Sequence, residues 1–92
     1  MSFSAAYTGS FKKDFKRAVK RGYNMDLLKK VVDLLLDKGD LPREYYPHTL
    51  RGNYTGCREC HINPDWLLIW EINNTENTII FHRTGTHSDL FR

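Results

Sequence analysis

The spacing of apolar residues predicts two helices in the first part of the chain. Between residues 10 and 21, basic side chains surround apolar ones that recur every three or four positions, at Phe11, Phe15, Ala18 and Val19. This spacing predicts an amphipathic helix, with Ser10 as its N-cap and Gly22 as its stop. A second apolar stripe predicts a helix that begins after Asn24 and ends at the Lys38-Gly39 pair.

Four other segments have the alternating or continuous apolar pattern of β-strands. They are residues 3–8 (FSAAYT), 54–61 (YTGCRECH), 66–72 (WLLIWEI) and 78–84 (TIIFHRT). The turn residues at 63–65 and the polar loop at 73–77 indicate that consecutive strands run antiparallel. Segment 66–72 is apolar on both faces, which predicts a central strand with helices on one face and a further group, ligand or partner, near the other. The predicted fold class is α+β, with two N-terminal helices packed on a mostly antiparallel sheet.

The length and composition are typical of one small folded domain. The 92 residues predict a single domain spanning 1–92. No stretch approaches the ~18 consecutive apolar residues of a membrane span, and the N-terminus lacks the order of a signal peptide. We therefore expect a cytoplasmic protein without a membrane partner.

The positive charge is concentrated in the N-terminal half. Residues 1–43 carry ten basic side chains against five acidic ones, whereas residues 44–92 carry four against six. Such a surface attracts phosphate polymers or an acidic protein segment. The candidate RNA-binding side chains on the first helix are Lys12, Lys13, Lys16 and Arg17, and a merely solvated helix face is the alternative.

The two cysteines spell the sequence C-x-x-C-H at residues 57–61, a pattern found at haem attachment sites. On a strand, residues three apart point to opposite faces, so Cys57 and Cys60 cannot both bind one haem or metal ion unless the strand breaks there. A zinc site would also need two further ligands. The sequence therefore predicts two small buried hydrophobic side chains, with no cofactor and no metal.

Three histidines fall beside turn residues or at strand ends, where side chains project outward. They are His48, His61 and His87. If the sheet brings them together with Asp65 and Arg83, they form an acid–base set that works near neutral pH. His82 lies in the middle of a predicted strand, and we assign it no role in catalysis.

Two aromatic residues are candidates for stacking on nucleobases. Trp66 begins a predicted strand, and Phe91 lies one residue from the C-terminus. Core packing is the competing explanation for both, and for Trp66 the two explanations are equally supported.

Three blocks of the chain resemble the YafQ branch of the RelE superfamily of bacterial toxins. The blocks are residues 41–52 (LPREYYPHTLRG), 58–69 (RECHINPDWLLI) and 83–91 (RTGTHSDLF). The resemblance implies a sheet of four to five strands with two N-terminal helices. It also implies an endoribonuclease that cuts messenger RNA in the ribosomal A site and is silenced by a cognate antitoxin. The family's catalytic positions correspond to His48, His61, Asp65, Trp66, His87 and Phe91.

The implied reaction uses the 2′-hydroxyl of the RNA and needs no metal. A base removes the hydroxyl proton, an acid protonates the departing 5′-oxygen, and positive charge stabilises the phosphate. We assign the base to His48 or Asp65 and the acid to His87, with His61 and Arg83 at the phosphate and Trp66 and Phe91 at the bases. A non-catalytic RNA- or ribosome-binding module would explain the charge alone, and a redox or haem protein would explain residues 57–61 alone.

Overall fold

Three helices flank one five-stranded sheet in a computed structural model that describes residues 2–91. The elements are β1 (Ser4–Tyr7), α1 (Gly9–Lys20), α2 (Met25–Lys38), β2 (His48–Thr49), β3 (Arg58–Asn63), β4 (Trp66–Asn73), β5 (Thr78–Gly85) and α3 (His87–Leu90). Short 3₁₀ turns, Arg43–Tyr45 and Gly52–Tyr54, lie on either side of β2. The α+β prediction is confirmed. No helix within residues 2–91 is long and apolar enough to cross a membrane.

The sheet has the strand order β1-β5-β4-β3-β2. Strands β2 to β5 pair antiparallel with their neighbours, while β1 pairs parallel with β5. A two-residue turn joins β3 to β4, and the predicted polar loop joins β4 to β5. The central position predicted for β4 is confirmed, because β4 lies in the middle of the five strands.

The two long helices occur where the sequence predicts them, with one difference in capping. The N-cap of α1 is Thr8 rather than Ser10, because the Thr8 hydroxyl oxygen accepts the Phe11 N–H. For α2, both predicted caps are confirmed: the Asn24 side chain accepts the Asp26 N–H, and Gly39 ends the helix with a φ of 73°. Glycine suits this left-handed position because it lacks a Cβ.

Three features of the second half differ from the prediction. The strand predicted at residues 54–61 begins only at Arg58, because Gly56 has a φ of 92° and the Cys57 N–H bonds back to the Tyr54 carbonyl, forming a turn. The segment patterns also did not predict β2 or α3. These elements have two and four residues, too few to produce a recognisable apolar period.

Each face of the sheet has its own apolar cluster. The face that we call the helix face packs against α1 and α2, with Cys60, Leu68, Trp70, Ile79 and Phe81 in its cluster. The opposite face, which we call the site face, has a smaller cluster of Cys57, Leu67, Ile69 and Leu90. The two cysteines are therefore buried and on opposite faces, as predicted, and they cannot hold one haem between them.

A buried carboxylate joins α1 to β5. Asp14 is 4% exposed, and its oxygens accept bonds from Arg83 Nε at 2.6 Å, Arg83 Nη2 at 3.2 Å, the Thr84 N–H at 3.1 Å and Arg17 Nη2 at 2.9 Å. A buried charge of this kind is tolerated only when it is paired and fully hydrogen-bonded. Asp14 meets both conditions.

Replacing Asp14 should therefore destabilise the fold strongly. Asp14→Ala leaves the Arg83 guanidinium without its carboxylate, and we expect a loss of about 3–5 kcal/mol in the free energy of unfolding measured in urea. The matched control is Asp33→Ala in α2, which breaks an exposed pair with Lys29 and should leave the free energy of unfolding nearly unchanged. Equal losses in the two variants would contradict this account of Asp14.

Candidate active site

Three histidines from three different elements meet on the site face of the sheet. His48 lies in β2, His61 in β3, and His87 is the first residue of α3. The ring centroids of His48 and His61 are 6.3 Å apart, and those of His61 and His87 are 5.9 Å apart. The predicted convergence of these residues is found in the structure. His82 lies elsewhere, on β5, where its Nε2 is 2.9 Å from Glu71 Oε1.

Asp65 holds His87 through two hydrogen bonds. Its Oδ1 accepts the His87 backbone N–H at 3.0 Å and lies 2.8 Å from His87 Nδ1. The bonds from His87 hold the pKa of the Asp65 carboxyl below its usual value, the backbone bond most strongly. An ionised Asp65 accepts the Nδ1 proton, so the other ring nitrogen, Nε2, is left to react.

His48 faces a buried glutamate that the sequence analysis did not single out. His48 Nδ1 lies 2.9 Å from the Tyr46 carbonyl, and Nε2 lies 3.2 Å from Glu59 Oε1. Glu59 is 4% exposed, and its Oε2 is buried without a hydrogen-bond partner within residues 2–91. The available signal was an acidic residue in a predicted strand, two positions before His61, but Glu59 was considered only as part of the C-x-x-C-H pattern.

His61 is the least restrained of the three rings. Its Nδ1 lies 3.3 Å from the Pro64 carbonyl, and the Tyr46 ring meets it edge-on with centroids 5.9 Å apart. Its Nε2 makes no hydrogen bond to any of residues 2–91. His61 and His87 therefore each have one ring nitrogen available to a ligand.

A network centred on Asp89 fixes α3, and with it His87. Asp89 closes a capping box with Thr86 and accepts two bonds from Arg21, at 2.7 and 3.2 Å. The Arg21 bonds hold the pKa of the Asp89 carboxyl well below its usual value. Gly85 is required here because its φ is 154° and an added Cβ would lie 2.8 Å from Asp89 Oδ2.

Phe91 has the exposure that base stacking needs, and Trp66 does not. Phe91 is 46% exposed beside the His87 ring, with the Tyr54 ring edge-on at 5.9 Å. Trp66 is 3% exposed; its ring packs against Tyr23, and its Nε1–H donates to Thr84 Oγ1 at 2.9 Å. The structure therefore corrects the base-binding role of Trp66, because both its ring and its polar group are occupied in the core.

Both predicted RNA-binding arginines are held in ion pairs. Arg83 bonds to Asp14 and approaches the Tyr54 hydroxyl at 3.4 Å, and the bond to Asp14 raises the pKa of the Arg83 guanidinium. Arg17 pairs with Asp14 at 2.9 Å and with Asp89 at 3.6 Å. These pairs use the Arg17 charge to join α1 to α3, and the Arg17 side chain remains 37% exposed.

Lys12 and Lys16 of α1 lie on the helix face of the sheet, opposite the face that carries the histidines. Lys12, Lys13 and Lys16 are exposed on a helix whose buried residues, Phe11 and Ala18, belong to the helix-face cluster. Lys12 and Lys16 border a groove between α1 and α2, which includes the partly exposed rings of Tyr7 and Phe15.

The histidine site does not gather a set of metal ligands. Within residues 2–91, no three ligand atoms from His48, Glu59, His61, Asp65 and His87 lie within 4.8 Å of one another. The arrangement instead leaves single nitrogen atoms facing solvent around a shallow surface. That geometry suits proton transfer to a bound substrate.

A known family accounts for this combination of fold and site. The family described as "Bacterial toxin of type II toxin-antitoxin system, YafQ" matches residues 3–92. The chain belongs to the YafQ toxin family. The mRNA interferase toxin YafQ of Escherichia coli K12 is 42% identical over 86 residues, which cover 92% of this chain and 91% of that protein.

Solved structures of YafQ toxins and related toxins have the same fold. In the crystal structure of the E. coli DinJ-YafQ toxin-antitoxin complex, the matching chain is 38% identical with a TM-score of 0.89, and 100% of each chain is covered. A metal-bound toxin from Helicobacter pylori is 40% identical with a TM-score of 0.89, covering 97% of this chain and 99% of that chain. The resemblance inferred from the three sequence blocks is confirmed.

Replacing Asp89 should destabilise α3 and change how the free energy of unfolding depends on pH in the acidic range. Folding lowers the pKa of the Asp89 carboxyl. Its contribution to the free energy of unfolding is therefore complete above the pKa of the unfolded chain, about 4, and disappears as the pH falls through the pKa of the folded state. Asp89→Ala should lower the free energy of unfolding by about 1–2 kcal/mol at pH 7. As the pH falls, the free energy of unfolding of the variant should decrease less steeply than that of the wild type.

Thermal unfolding between pH 2 and pH 7 measures both effects. The matched control is Asp37→Ala, which removes an exposed carboxylate from α2 and should leave the profile unchanged. If Asp89→Ala matched this control at pH 7, the network would not be what holds α3.

Proposed function

We propose that this protein cleaves messenger RNA on the ribosome through the RNA 2′-hydroxyl, with His87 as general acid. Family membership makes the chain a type II toxin, and its 42% identity to an mRNA interferase over most of its length makes it an endoribonuclease. The main observation that supports this mechanism is the Asp65–His87 pair. It occupies His87 Nδ1 and leaves Nε2 available beside the His61 ring.

His87 is suited to protonate the leaving group. Asp65 accepts the hydrogen bond from Nδ1 and orients the ring, and in the protonated ring Nε2 also carries a proton. When the bond between phosphorus and the 5′-oxygen breaks, Nε2 gives its proton to that oxygen. Asp65 therefore positions His87, and its lowered pKa makes it a poor base, so we assign the base elsewhere.

His61 is the better candidate for the base. His48 faces oxygen acceptors at both nitrogens, whereas His61 Nε2 has no partner within residues 2–91. His61 would take the 2′-hydroxyl proton as the 2′-oxygen attacks phosphorus, giving a 2′,3′-cyclic phosphate and a 5′-hydroxyl end. The pair of His48 and buried Glu59 then supplies a fixed, hydrogen-bonded group at the edge of the site.

The remaining groups would hold the substrate. Phe91 offers an exposed ring next to His87 for stacking on a base. Arg83 is tied to Asp14, but its Nη1 has only the long contact to the Tyr54 hydroxyl and can reach toward a phosphate on the site face. The ribosome would present the message to this shallow surface in an extended form.

A cognate antitoxin is the expected inhibitor. The E. coli relative was crystallised in a toxin-antitoxin complex, and this chain is similar to it over its full length. An antitoxin that covers or distorts the histidine site would keep the toxin inactive. The proposed partners of this protein are the antitoxin, the ribosome and messenger RNA.

Removing the His87 imidazole should abolish most of the cleavage. His87→Ala should lower the rate of message cleavage on programmed ribosomes by about 10²–10⁴-fold, the usual contribution of a general acid. The matched control is Ser88→Ala, which alters the neighbouring exposed position of α3 and should cleave at the wild-type rate. A folded His87→Ala protein with wild-type activity would remove His87 from the mechanism.

A substituted message separates catalysis from simple binding. With a 2′-deoxynucleotide at the cleaved position the nucleophile is missing, so wild-type toxin should bind the programmed ribosome and leave the message intact. Cleavage of that message would contradict attack by the 2′-hydroxyl. A protein that bound ribosomes but cut neither message would be a non-catalytic binding module.

The exposed lysines of α1 should act in ribosome association instead of chemistry. Changing Lys12, Lys13 and Lys16 to Gln should weaken binding and reduce its salt slope by about 0.7–0.9 for each phosphate that the protein no longer neutralises. Arg17 is left in place because its ion pairs support α3. The matched control changes Lys29, Lys30 and Lys38 of α2 to Gln; equal weakening in both sets would indicate an effect of net charge alone.

A further inference from the structure

Three potential metal ligands meet on the site face at the other end of β4 from the histidines. The Cys57 Sγ, one Glu71 carboxylate oxygen and one His82 ring nitrogen all lie within 4.8 Å of one another. Cys57 and Cys60 do not share a metal ion, because they lie on opposite faces of the sheet. The structure gives Cys57 different neighbours, which are distant from it in the sequence.

The backbone holds each of the three residues in place. The Cys57 N–H bonds to the Tyr54 carbonyl, and its own carbonyl accepts the Leu50 N–H. His82 is the extra residue of a β-bulge between β4 and β5, where Ile69 pairs with Arg83 and Trp70 pairs with Phe81. The Thr8 hydroxyl donates to the His82 carbonyl at 2.9 Å. Glu71 is a regular residue of β4, paired with Ile80.

The set has the composition of a zinc site with one open position. Thiolate, imidazole and carboxylate are all zinc ligands, and three protein ligands with a water in the fourth position make a common arrangement. In a tetrahedral site the donor atoms lie about 3.3–3.5 Å apart, given metal–ligand bonds of about 2.0–2.3 Å. His82 Nε2 and Glu71 Oε1 are already 2.9 Å apart, so small rotations of the side chains would complete the geometry.

Burial and exposure also fit a metal ligand set. Cys57 is buried in the site-face cluster, whereas the His82 and Glu71 side chains are 29% and 43% exposed, which leaves an entrance and room for a water ligand. The ion would replace the thiol proton, which is released to solvent, and would take up the charge of the resulting thiolate and of Glu71.

We propose that Cys57, Glu71 and His82 form a binding site for a divalent transition metal ion of the zinc type. The site is separate from the three-histidine cluster: Glu71 lies four residues along β4 from Leu67, the partner of His61, a distance of about 13 Å. A bound ion would join the end of the 3₁₀ segment that leads into β3 to strands β4 and β5. This proposal does not depend on the cleavage mechanism.

Cobalt absorption tests the site directly. Co²⁺ titrated into the full chain, with its thiols kept reduced, should produce a near-ultraviolet thiolate-to-cobalt band at one equivalent. Cys57→Ala should lose the band. His82→Ala and Glu71→Gln should weaken Co²⁺ binding by on the order of 100-fold or more, since losing even outer-shell partners costs about 10–100-fold.

Two controls separate this site from the other cysteine and from the catalytic histidines. Cys60→Ala removes the buried thiol of the helix face and should keep the band. A His61→Ala, His87→Ala double variant should also keep it, because those rings lie in the other cluster. Zn²⁺ should displace Co²⁺ and should raise the Tm of the wild type and of Cys60→Ala, but not that of His82→Ala.

The outcomes decide the assignment without relying on any one variant. Absence of the thiolate band in the wild-type protein overturns the proposal whatever the variants do. A band that survives Cys57→Ala, or one that disappears in folded Cys60→Ala, also overturns it. Should Cys57→Ala fail to fold, the partly exposed His82→Ala provides the same test, and wild-type Co²⁺ affinity in that variant would exclude the site.

Discussion

The Asp14 carboxylate is the interaction on which the position of the active site depends. It lies almost fully buried between α1 and β5, and its hydrogen-bond donors are supplied by Arg83, Arg17 and the Thr84 N–H. Arg17 also reaches Asp89, so the same charge network continues into α3, which carries His87. In a low-dielectric interior such a network is stable only when every member is satisfied. His87, the proposed general acid, is therefore held, through charge, by a helix on the far side of the sheet.

The elements that the sequence predicted well are those with many residues and a regular period. The stripe at Phe11 and Ala18 indicated α1, and the continuous apolar run of β4 indicated a central strand, because burial in both cases follows from side-chain direction alone. The short elements could not be found in this way. A capping box and an Asp89 ion pair create α3, and both depend on residues brought together by the fold.

The same difference between local spacing and contacts made by the fold explains which site residues the sequence predicted. Histidines beside turns could be proposed from position, since turns place side chains at the ends of strands, and Asp65 was found with them. Glu59 was missed because its importance lies in burial against His48, which only the pairing of β2 with β3 establishes. Trp66 shows the opposite error: an aromatic residue at a strand start can stack on a base or fill the core, and the Thr84 hydroxyl near its indole decides for the core.

The site face places the proposed catalytic group and the proposed metal-binding group at opposite ends of one strand. At the Leu67 end, the tight turn between β3 and β4 and the start of α3 leave imidazole nitrogens open to solvent, as proton transfer requires. Toward the Glu71 end, the bulge at His82 and the turn before Cys57 bring ligand atoms close together, as metal binding requires. Between them, Ile69 of the site-face cluster separates the two groups. In regular pairing His82 would lie opposite Ile69; the bulge leaves it without a partner on β4, and its imidazole contacts Glu71.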